Sequence, residues 1–250
     1  MIITKISGGL GNQMFQYAAG RAVSLRENTS LKLDISGYSD DKFGRHYSLD
    51  VFNIKVTLAT PLDCLISRLF KTYLDGYWQS EKYFIEYSDQ IRQDFKLKPR
   101  PDKNVTEYLK KIKKTNSVAI HVRRGDYVSI ARIGQSVGIC GVKYYQRAIR
   151  LITKKVKDPT FFVFSEADGL DWAKQNLKFE SPCVLVKSSK DYEDLRLMSA
   201  CQHNIVANSS FSWWGAWLNE NPKKIVVAPD PWFDRKKTNI VPENWAKLKK

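Results

Sequence analysis

The chain has 250 residues, enough for one large hydrophobic core or two smaller ones, and no segment approaches the roughly 18 apolar residues that a membrane-spanning helix needs. Its 41 Lys and Arg residues outnumber its 26 Asp and Glu residues, giving a net charge of +15. This excess predicts an acidic partner: nucleic acid, an anionic membrane surface or a phosphorylated substrate. Nucleic acid is the weakest of the three, because the basic residues are spread along the chain and no nucleic-acid-binding motif accompanies them.

The cysteines and histidines do not have the spacing of a metal site. There is no Cys-x-x-Cys pair, and the chain has only three histidines. We expect the four cysteines to be reduced thiols of the core in a cytoplasmic protein, because the first residues also lack the features of a signal peptide. These cysteines are Cys64, Cys140, Cys183 and Cys201.

A glycine-rich turn joins the first predicted strand, residues 2–6, to a predicted helix at residues 13–26. Its sequence, Gly-Gly-Leu-Gly-Asn-Gln at residues 8–13, fits neither the dinucleotide fingerprint nor the P-loop. The glycines would let the backbone approach a ligand closely, with Asn12 and Gln13 as side-chain donors. A tight strand–helix connection would require the same small residues, and this alternative stays open.

The pattern is less regular from residue 31 to residue 103. It predicts a strand at 31–35 and a helix at 61–70, followed by Gly-Tyr-Trp-Gln-Ser-Glu at residues 76–81. That aromatic segment suits a sugar-binding surface or, equally, a set of core aromatics. Pro99 and Pro101 interrupt a charged run, which makes residues 96–103 the best linker candidate. We therefore predict two α/β domains, residues 1–98 and residues 99–250, which face each other across a cleft suited to a small molecule.

Strands and helices alternate regularly from about residue 115 onward. Alternation at this spacing predicts βαβ units and a parallel sheet. The predicted strands are residues 117–122, 160–164, 183–186, 205–207 and 224–228, and the predicted helices are residues 144–156, 170–177, 192–201 and 211–218.

The first of these strands leads into His-Val-Arg-Arg-Gly-Asp at residues 121–126. Ligands of open α/β sheets bind outside the carboxyl ends of the strands. Two adjacent guanidiniums, Arg123 and Arg124, match the oxygens of a doubly charged ligand such as a phosphate. A salt-bridge cluster on a surface loop is the alternative.

A second polar stretch, Asn-Ser-Ser-Phe-Ser at residues 208–212, precedes a predicted helix. From Asn208 onward it could hold an anion with the helix amides and the hydroxyls of Ser209 and Ser210. A simple helix cap is the alternative. The tryptophans that follow are predicted to pack the helix onto the sheet rather than to stack on a ligand; they are Trp213, Trp214 and Trp217.

Four ordered motifs, at residues 8–18, 76–80, 121–126 and 208–215, together resemble the α-1,2-fucosyltransferases of glycosyltransferase family 11. The resemblance runs from Met1 to about Phe233. It implies a GT-B-like fold of two Rossmann-like α/β domains, GDP-β-L-fucose as the donor, the 2-hydroxyl of a terminal galactose as the acceptor, inversion, and no metal or other cofactor. It assigns the acceptor side to residues 1–98 and nucleotide-sugar binding to residues 99–250, and it implies a bacterial enzyme that acts on soluble or lipid-linked glycans in the cytoplasm. Peripheral contact with an anionic membrane surface stays open because of the positive net charge.

The resemblance further implies roles for individual residues. Arg123 and Arg124 would clamp the donor pyrophosphate, and His121 would contact the nucleotide. Asp194 would be the carboxylate that binds guanine, and Asn12 would lie in the loop that closes over the donor. The donor-phosphate loop would comprise Ser209, Ser210 and Phe211.

Asp126 is a candidate general base because it is the carboxylate closest in sequence to the two arginines. Pairing with an arginine would lower the pKa of Asp126, so an orienting role is favoured. A strongly dissociative transition state would need no enzymic base. Two broader alternatives also remain, a GDP-sugar transferase of another linkage and a basic, non-catalytic protein that binds nucleic acid or an anionic surface.

Overall fold

The computed structural model describes residues 1–39, 44–124, 138–188, 190–234 and 238–250. The chain divides into two compact units, Met1–Arg100 and Pro101–Lys250. Each unit is an α/β structure built on a parallel sheet, in agreement with the predicted GT-B-like fold of two Rossmann-like domains. Within these described ranges, no helix has the length and apolar character required to cross a membrane.

The first unit has a four-stranded sheet in the order β3-β2-β1-β4. Its interior strand β1 is largely buried, and Ile3 of this strand and Phe15 of the first helix are both completely buried. The strands are β1 (Ile2–Lys5), β2 (Leu31–Asp34), β3 (Thr57–Leu58) and β4 (Tyr73–Leu74), and the helices are α1 (Leu10–Arg26), α2 (Pro61–Leu69) and α3 (Ser88–Asp94).

The second unit has a six-stranded sheet in the order β10-β9-β8-β5-β6-β7. Its strands are β5 (Asn116–His121), β6 (Pro159–Phe164), β7 (Cys183–Leu185), β8 (His203–Ile205), β9 (Val226–Asp230) and β10 (Ala246–Lys249). Its described helices are α4 (Lys103–Lys113), α5 (Val142–Lys155), α6 (Ala167–Asn176), α7 (Asp191–Ala200) and α8 (Ser210–Leu218).

Strand β5 is buried on both faces, which explains its continuous apolar sequence. Val118 and Ile120 pack into a core cluster with the buried stripe of α5, whereas Ala119 belongs to the cluster on the opposite face. The predicted helix at residues 144–156 corresponds to α5, and its apolar stripe faces the sheet, with Tyr145 and Ala148 both fully buried. The sheet therefore holds the end of β5 rigidly between two layers.

Two predictions about this unit are wrong. The last strand is not residues 224–228, because residues 246–249 pair with β9 as a further strand. Leu248 packs against the core while the lysines that alternate with it are exposed, and those lysines hid the strand. Cys183 is exposed at the edge strand β7 rather than buried, whereas the other three cysteines are buried as predicted.

Candidate active site

The polar segments predicted to bind a ligand lie at one edge of the second sheet. Strands β8, β5, β6 and β7 are consecutive neighbours and run parallel, so their carboxyl ends share an edge. Ser165 ties two of these ends together, because its hydroxyl donates to the carbonyl of Val122 at 2.6 Å. This edge is the position at which open α/β sheets bind ligands.

His121 ends strand β5 and is almost completely buried. Burial, followed by the charge of Arg123, lowers the pKa of the imidazole to about 3, so the ring is neutral at physiological pH. Among the described residues its Nδ1 atom is buried without a hydrogen-bond partner. The ring lies 5.8 Å from that of Phe211, centroid to centroid, which places residues from β5 and from the start of α8 side by side.

Arg123 forms an ion pair with Glu166, which occupies the N-cap position of α6. The pair is partly exposed, with 26% of the arginine side chain and 42% of the glutamate side chain accessible. A carboxylate in this position restrains the guanidinium while leaving part of it open to a ligand. From the sequence, Glu166 is only one of the acidic residues that follow β6. Its pairing with Arg123 could not be predicted, because the sequence pattern does not show which arginine it contacts.

Arg124 is positioned by an aromatic ring instead. Its guanidinium carbon lies 4.6 Å from the centroid of the Trp172 ring, in cation–π geometry. Trp172 is itself held by an edge contact with Tyr145, whose hydroxyl donates to the carbonyl of His121 at 3.1 Å. This role for Trp172 was not predicted, because a tryptophan in an amphipathic helix is ordinarily a packing residue.

The start of α8 leaves its first amides without a side-chain cap. Ser209 occupies the N-cap position, but its side chain makes no capping hydrogen bond, and the first turn has no acidic residue. The positive end of the helix dipole is therefore not neutralised within the helix. The alternative of a simple serine cap is wrong at this position. Behind it, the tryptophans are buried as predicted: Trp213, Trp214 and Trp217.

Asn208 is buried, and its side chain holds this loop in place through hydrogen bonds. Its side-chain amide donates to the carbonyl of Gly138 at 2.9 Å and to that of Trp232 at 3.3 Å, and its oxygen accepts from the thiol of Cys140 at 3.4 Å. We therefore expect Asn208 to fix the position of Ser209 and Ser210 rather than to contact a ligand with its amide.

Asp194 lies in the first turn of α7, after strand β7. Burial, followed by the nearby carboxylates Asp191 and Glu166, raises the pKa of Asp194 to about 6, although Ser188 donates a 2.7 Å hydrogen bond to it. A half-buried carboxylate with this pKa is suited to accept hydrogen bonds from a ligand, since such bonds would stabilise its charge.

The first unit holds the glycine-rich turn, and there Gln13 does not act as a free donor. Gln13 is fully buried and donates to the carbonyls of Gly8 at 3.0 Å and His46 at 2.8 Å, while accepting from the backbone of Ser48 at 2.9 Å. Gly8 has a φ of +74°, which explains the requirement for glycine. Asn12 is partly exposed, and its oxygen accepts from Gln79 at 2.9 Å.

The role of Asp126 and the expectation that no metal takes part both stay predictions. Asp126 lies outside the described residues. Within the ranges that the structure describes, no group of three or more His, Cys, Asp or Glu side chains could hold a metal ion.

In sequence, the chain is similar to known glycosyltransferases. The profile of Glycosyl transferase family 11 matches residues 62–249. The alpha-1,2-colitosyltransferase of Escherichia coli is 34% identical, across 100% of this chain and 99% of the relative. The O-antigen biosynthesis glycosyltransferase WbnK of Escherichia coli is 29% identical, across 97% of this chain and 99% of the relative.

The fold is also similar to that of a solved glycosyltransferase. The crystal structure of NodZ alpha-1,6-fucosyltransferase soaked with GDP-fucose aligns with a TM-score of 0.51 at 15% identity, over 87% of this chain and 91% of the other. At that identity the likeness supports the fold alone. The profile match covers most of the sequence, and the colitosyltransferase relative aligns along its whole length. The chain belongs to glycosyltransferase family 11.

Proposed function

We propose that the protein transfers L-fucose from GDP-β-L-fucose to the 2-hydroxyl of a terminal galactose, with inversion at the anomeric carbon. The observation that carries this proposal is the convergence of two restrained guanidiniums, Arg123 and Arg124, with the uncapped start of α8 at one sheet edge. Such an edge provides cationic and amide donors for a pyrophosphate. Membership of family 11 supports the sugar-transfer chemistry.

The two arginines and the helix start would stabilise the GDP leaving group. As the bond between the anomeric carbon and the phosphate oxygen breaks, negative charge grows on the pyrophosphate. Donors aimed at that charge before the reaction begins lower the barrier, because they need no reorganisation. Glu166 and Trp172 would act as positioning residues, since each fixes one guanidinium. We propose that no metal takes part, and activity that survives EDTA would support this.

Asp194 would recognise the guanine base. An ionised carboxylate can accept hydrogen bonds from the ring N–H and the exocyclic amine of guanine together, a pattern that neither adenine nor uracil presents. Its position after β7 is at the same sheet edge as the arginines. His121, neutral and with a buried Nδ1 lacking a partner among the described residues, would contact the nucleotide.

The acceptor proton is the remaining requirement of an inverting displacement. Asp126 is our candidate either for accepting it or for orienting an arginine. Because Glu166 already pairs with Arg123, the orienting role is at least partly filled by another carboxylate. Asp126→Asn separates the roles. Loss of transfer with unchanged GDP affinity would support the base, and weakened GDP affinity would support orientation.

A second donor, GDP-colitose, is favoured by one observation. The relative that aligns along the whole chain is an alpha-1,2-colitosyltransferase. Colitose is fucose without the 3-hydroxyl. A site that hydrogen-bonds this hydroxyl should reject the deoxy sugar strongly, whereas a site that merely leaves room for it discriminates weakly.

The decisive assay offers both GDP-sugars, separately, to galactose-terminated oligosaccharides. We expect a higher kcat/KM with GDP-fucose and a product whose new linkage, by NMR, is α to the galactose 2-hydroxyl. A higher kcat/KM with GDP-colitose would replace the donor assignment. A β product, or a linkage to another hydroxyl, would contradict the proposed stereochemistry or acceptor.

The non-catalytic alternative has a separate test. A protein that binds the phosphate backbone of nucleic acids should bind duplex DNA of any sequence, with an affinity that falls steeply as the salt concentration is raised. We expect the protein to bind DNA only weakly at physiological salt. Because this weak binding would not use the proposed donor site, we expect GDP-fucose not to compete with it.

A further inference from the structure

Helix α2 has its apolar residues on the outside. The side chains that face the sheet are Cys64 and Ser67, both buried. The opposite face presents a continuous apolar stripe at helical spacing, in which Leu62 and Leu69 are 64% and 73% exposed. The stripe also contains Leu65, Ile66 and Phe70 and is extended by Leu58 of β3.

The stripe is held in place rather than frayed. Thr60 and Asp63 form a reciprocal capping box at the start of α2, with the threonine hydroxyl accepting from the Asp63 amide at 3.1 Å. Asp63 is in turn paired with Lys32 of β2 at 2.8 Å, which fastens the helix to the sheet. A rigid helix with an outward apolar face differs from scattered surface leucines, because contiguous exposed patches mark interaction sites.

The charges around the stripe indicate what covers it. Residues 55–74 contain three cations, namely Lys55, Arg68 and Lys71, all exposed. The only carboxylate in the same segment, Asp63, is already paired with Lys32. The stripe therefore combines apolar side chains with a local excess of positive charge, which is the composition of helices that lie in the headgroup region of an anionic bilayer.

We propose that the α2 stripe docks the protein on an anionic lipid surface. Leucine and phenylalanine side chains would enter the boundary between headgroups and acyl chains, and the three cations would contact lipid phosphates. A second copy of the chain fits less well, because the segment has no free carboxylate to meet these cations. The inference is independent of the proposed function, since it uses no residue of the candidate active site.

Vesicle sedimentation tests the inference with the full chain. We compare vesicles of phosphatidylcholine with 30 mol% phosphatidylglycerol against vesicles of phosphatidylcholine alone, the mixture being about that of an anionic membrane. We expect binding to the anionic vesicles only, and a loss of at least about ten-fold in Leu62→Ser/Leu69→Ser. Ile85→Ser is the matched control, because Ile85 is an exposed aliphatic residue outside the stripe.

The charge contribution has its own variant. Lys55→Gln/Lys71→Gln should lower affinity for anionic vesicles by about five-fold for each lysine and leave the apolar stripe intact. The midpoint of urea unfolding should be nearly the same in all these variants, which shows that they are folded without relying on the proposed function. Unchanged vesicle binding in the leucine variant would overturn the inference. So would a concentration-dependent dimer that the leucine substitutions abolish, in the absence of vesicle binding.

Discussion

The carboxyl edges of the two sheets are built from similar strand–loop–helix turns, yet they use their polar side chains differently. In the first unit, Gln13 and Tyr38 both donate to the carbonyl of Gly8, at 3.0 Å and 2.9 Å, so they hold the loop itself. In the second unit, Arg123 and Arg124 are restrained by Glu166 and Trp172 but stay partly exposed. Similar turns therefore have different roles: the polar side chains stabilise the loop in the first unit, and they are available to a ligand in the second.

The largest effect should come from an arginine of the second edge. Arg123→Lys keeps the charge but loses the bidentate fork, and we expect kcat/KM to fall by about 30-fold to 1000-fold, or about 2–4 kcal/mol of transition-state stabilisation. Steady-state kinetics measure this. Arg147→Lys, on the exposed side of α5, is the matched control. Turnover close to that of the unsubstituted protein would remove Arg123 from the proposed clamp.

The first edge should respond in stability instead. Gln13→Leu keeps the volume but leaves the carbonyls of Gly8 and His46 and the amide of Ser48 without this partner. We expect the free energy of unfolding to fall by about 2–3 kcal/mol, by urea titration. The Kd for GDP of the folded variant should stay within about two-fold. A large loss of GDP affinity with unchanged stability would break the distinction between the two edges.

The raised pKa of Asp194 leads us to expect that the affinity for the donor depends on pH. Its pKa of about 6 means that the carboxylate loses its charge below that pH, and with it the ability to accept both guanine donors. We expect the Kd for GDP-fucose to rise by about ten-fold per pH unit below 6. GDP-fucose is the right ligand because its diesterified pyrophosphate does not titrate there, and neither does His121, with its pKa of about 3.

The same pKa has the opposite consequence for the free protein. A carboxylate whose pKa is raised on folding contributes stability below its ordinary value of 3.8, and this contribution is lost as the pH rises through about 6. Asp194→Asn should abolish both dependences. A pH profile of GDP-fucose affinity that is the same in this variant would contradict the assignment of Asp194.

The smallest effect should come from Trp172. Trp172→Leu removes the ring beneath Arg124, and we expect kcat/KM to fall about three-fold to five-fold, or about 0.5–1 kcal/mol. Trp172→Phe should recover most of this loss because it restores an aromatic face. If both variants lost the same activity, packing against Tyr145 rather than the cation–π contact would be the reason.

The regular second half of the chain was predictable because its strands are buried on both faces and read as apolar runs. The end of β5 and the start of α8 were therefore located from sequence, and Arg123 and Ser209 with them. The partners of these residues were not, since ion pairs and ring contacts across strands depend on register. Strand β10 was missed because alternating lysines mask its two apolar residues. The exposure of the apolar stripe of α2 was not predicted, because the spacing of apolar residues shows that they share one helix face but not whether that face points to the core or to solvent.

The most direct test of the central claim, that the second edge is a GDP-sugar site, is thermal unfolding in the presence of GDP, ADP and UDP at equal concentration. A ligand that binds only the folded state stabilises it by RT ln(1 + [L]/Kd), so at equal concentration the ligand with the lower Kd raises the Tm more. We predict the largest rise with GDP, a smaller rise with ADP or UDP, and loss of that preference in Asp194→Asn. Equal shifts with all three nucleotides in the unsubstituted protein, or no shift with any, would contradict the account.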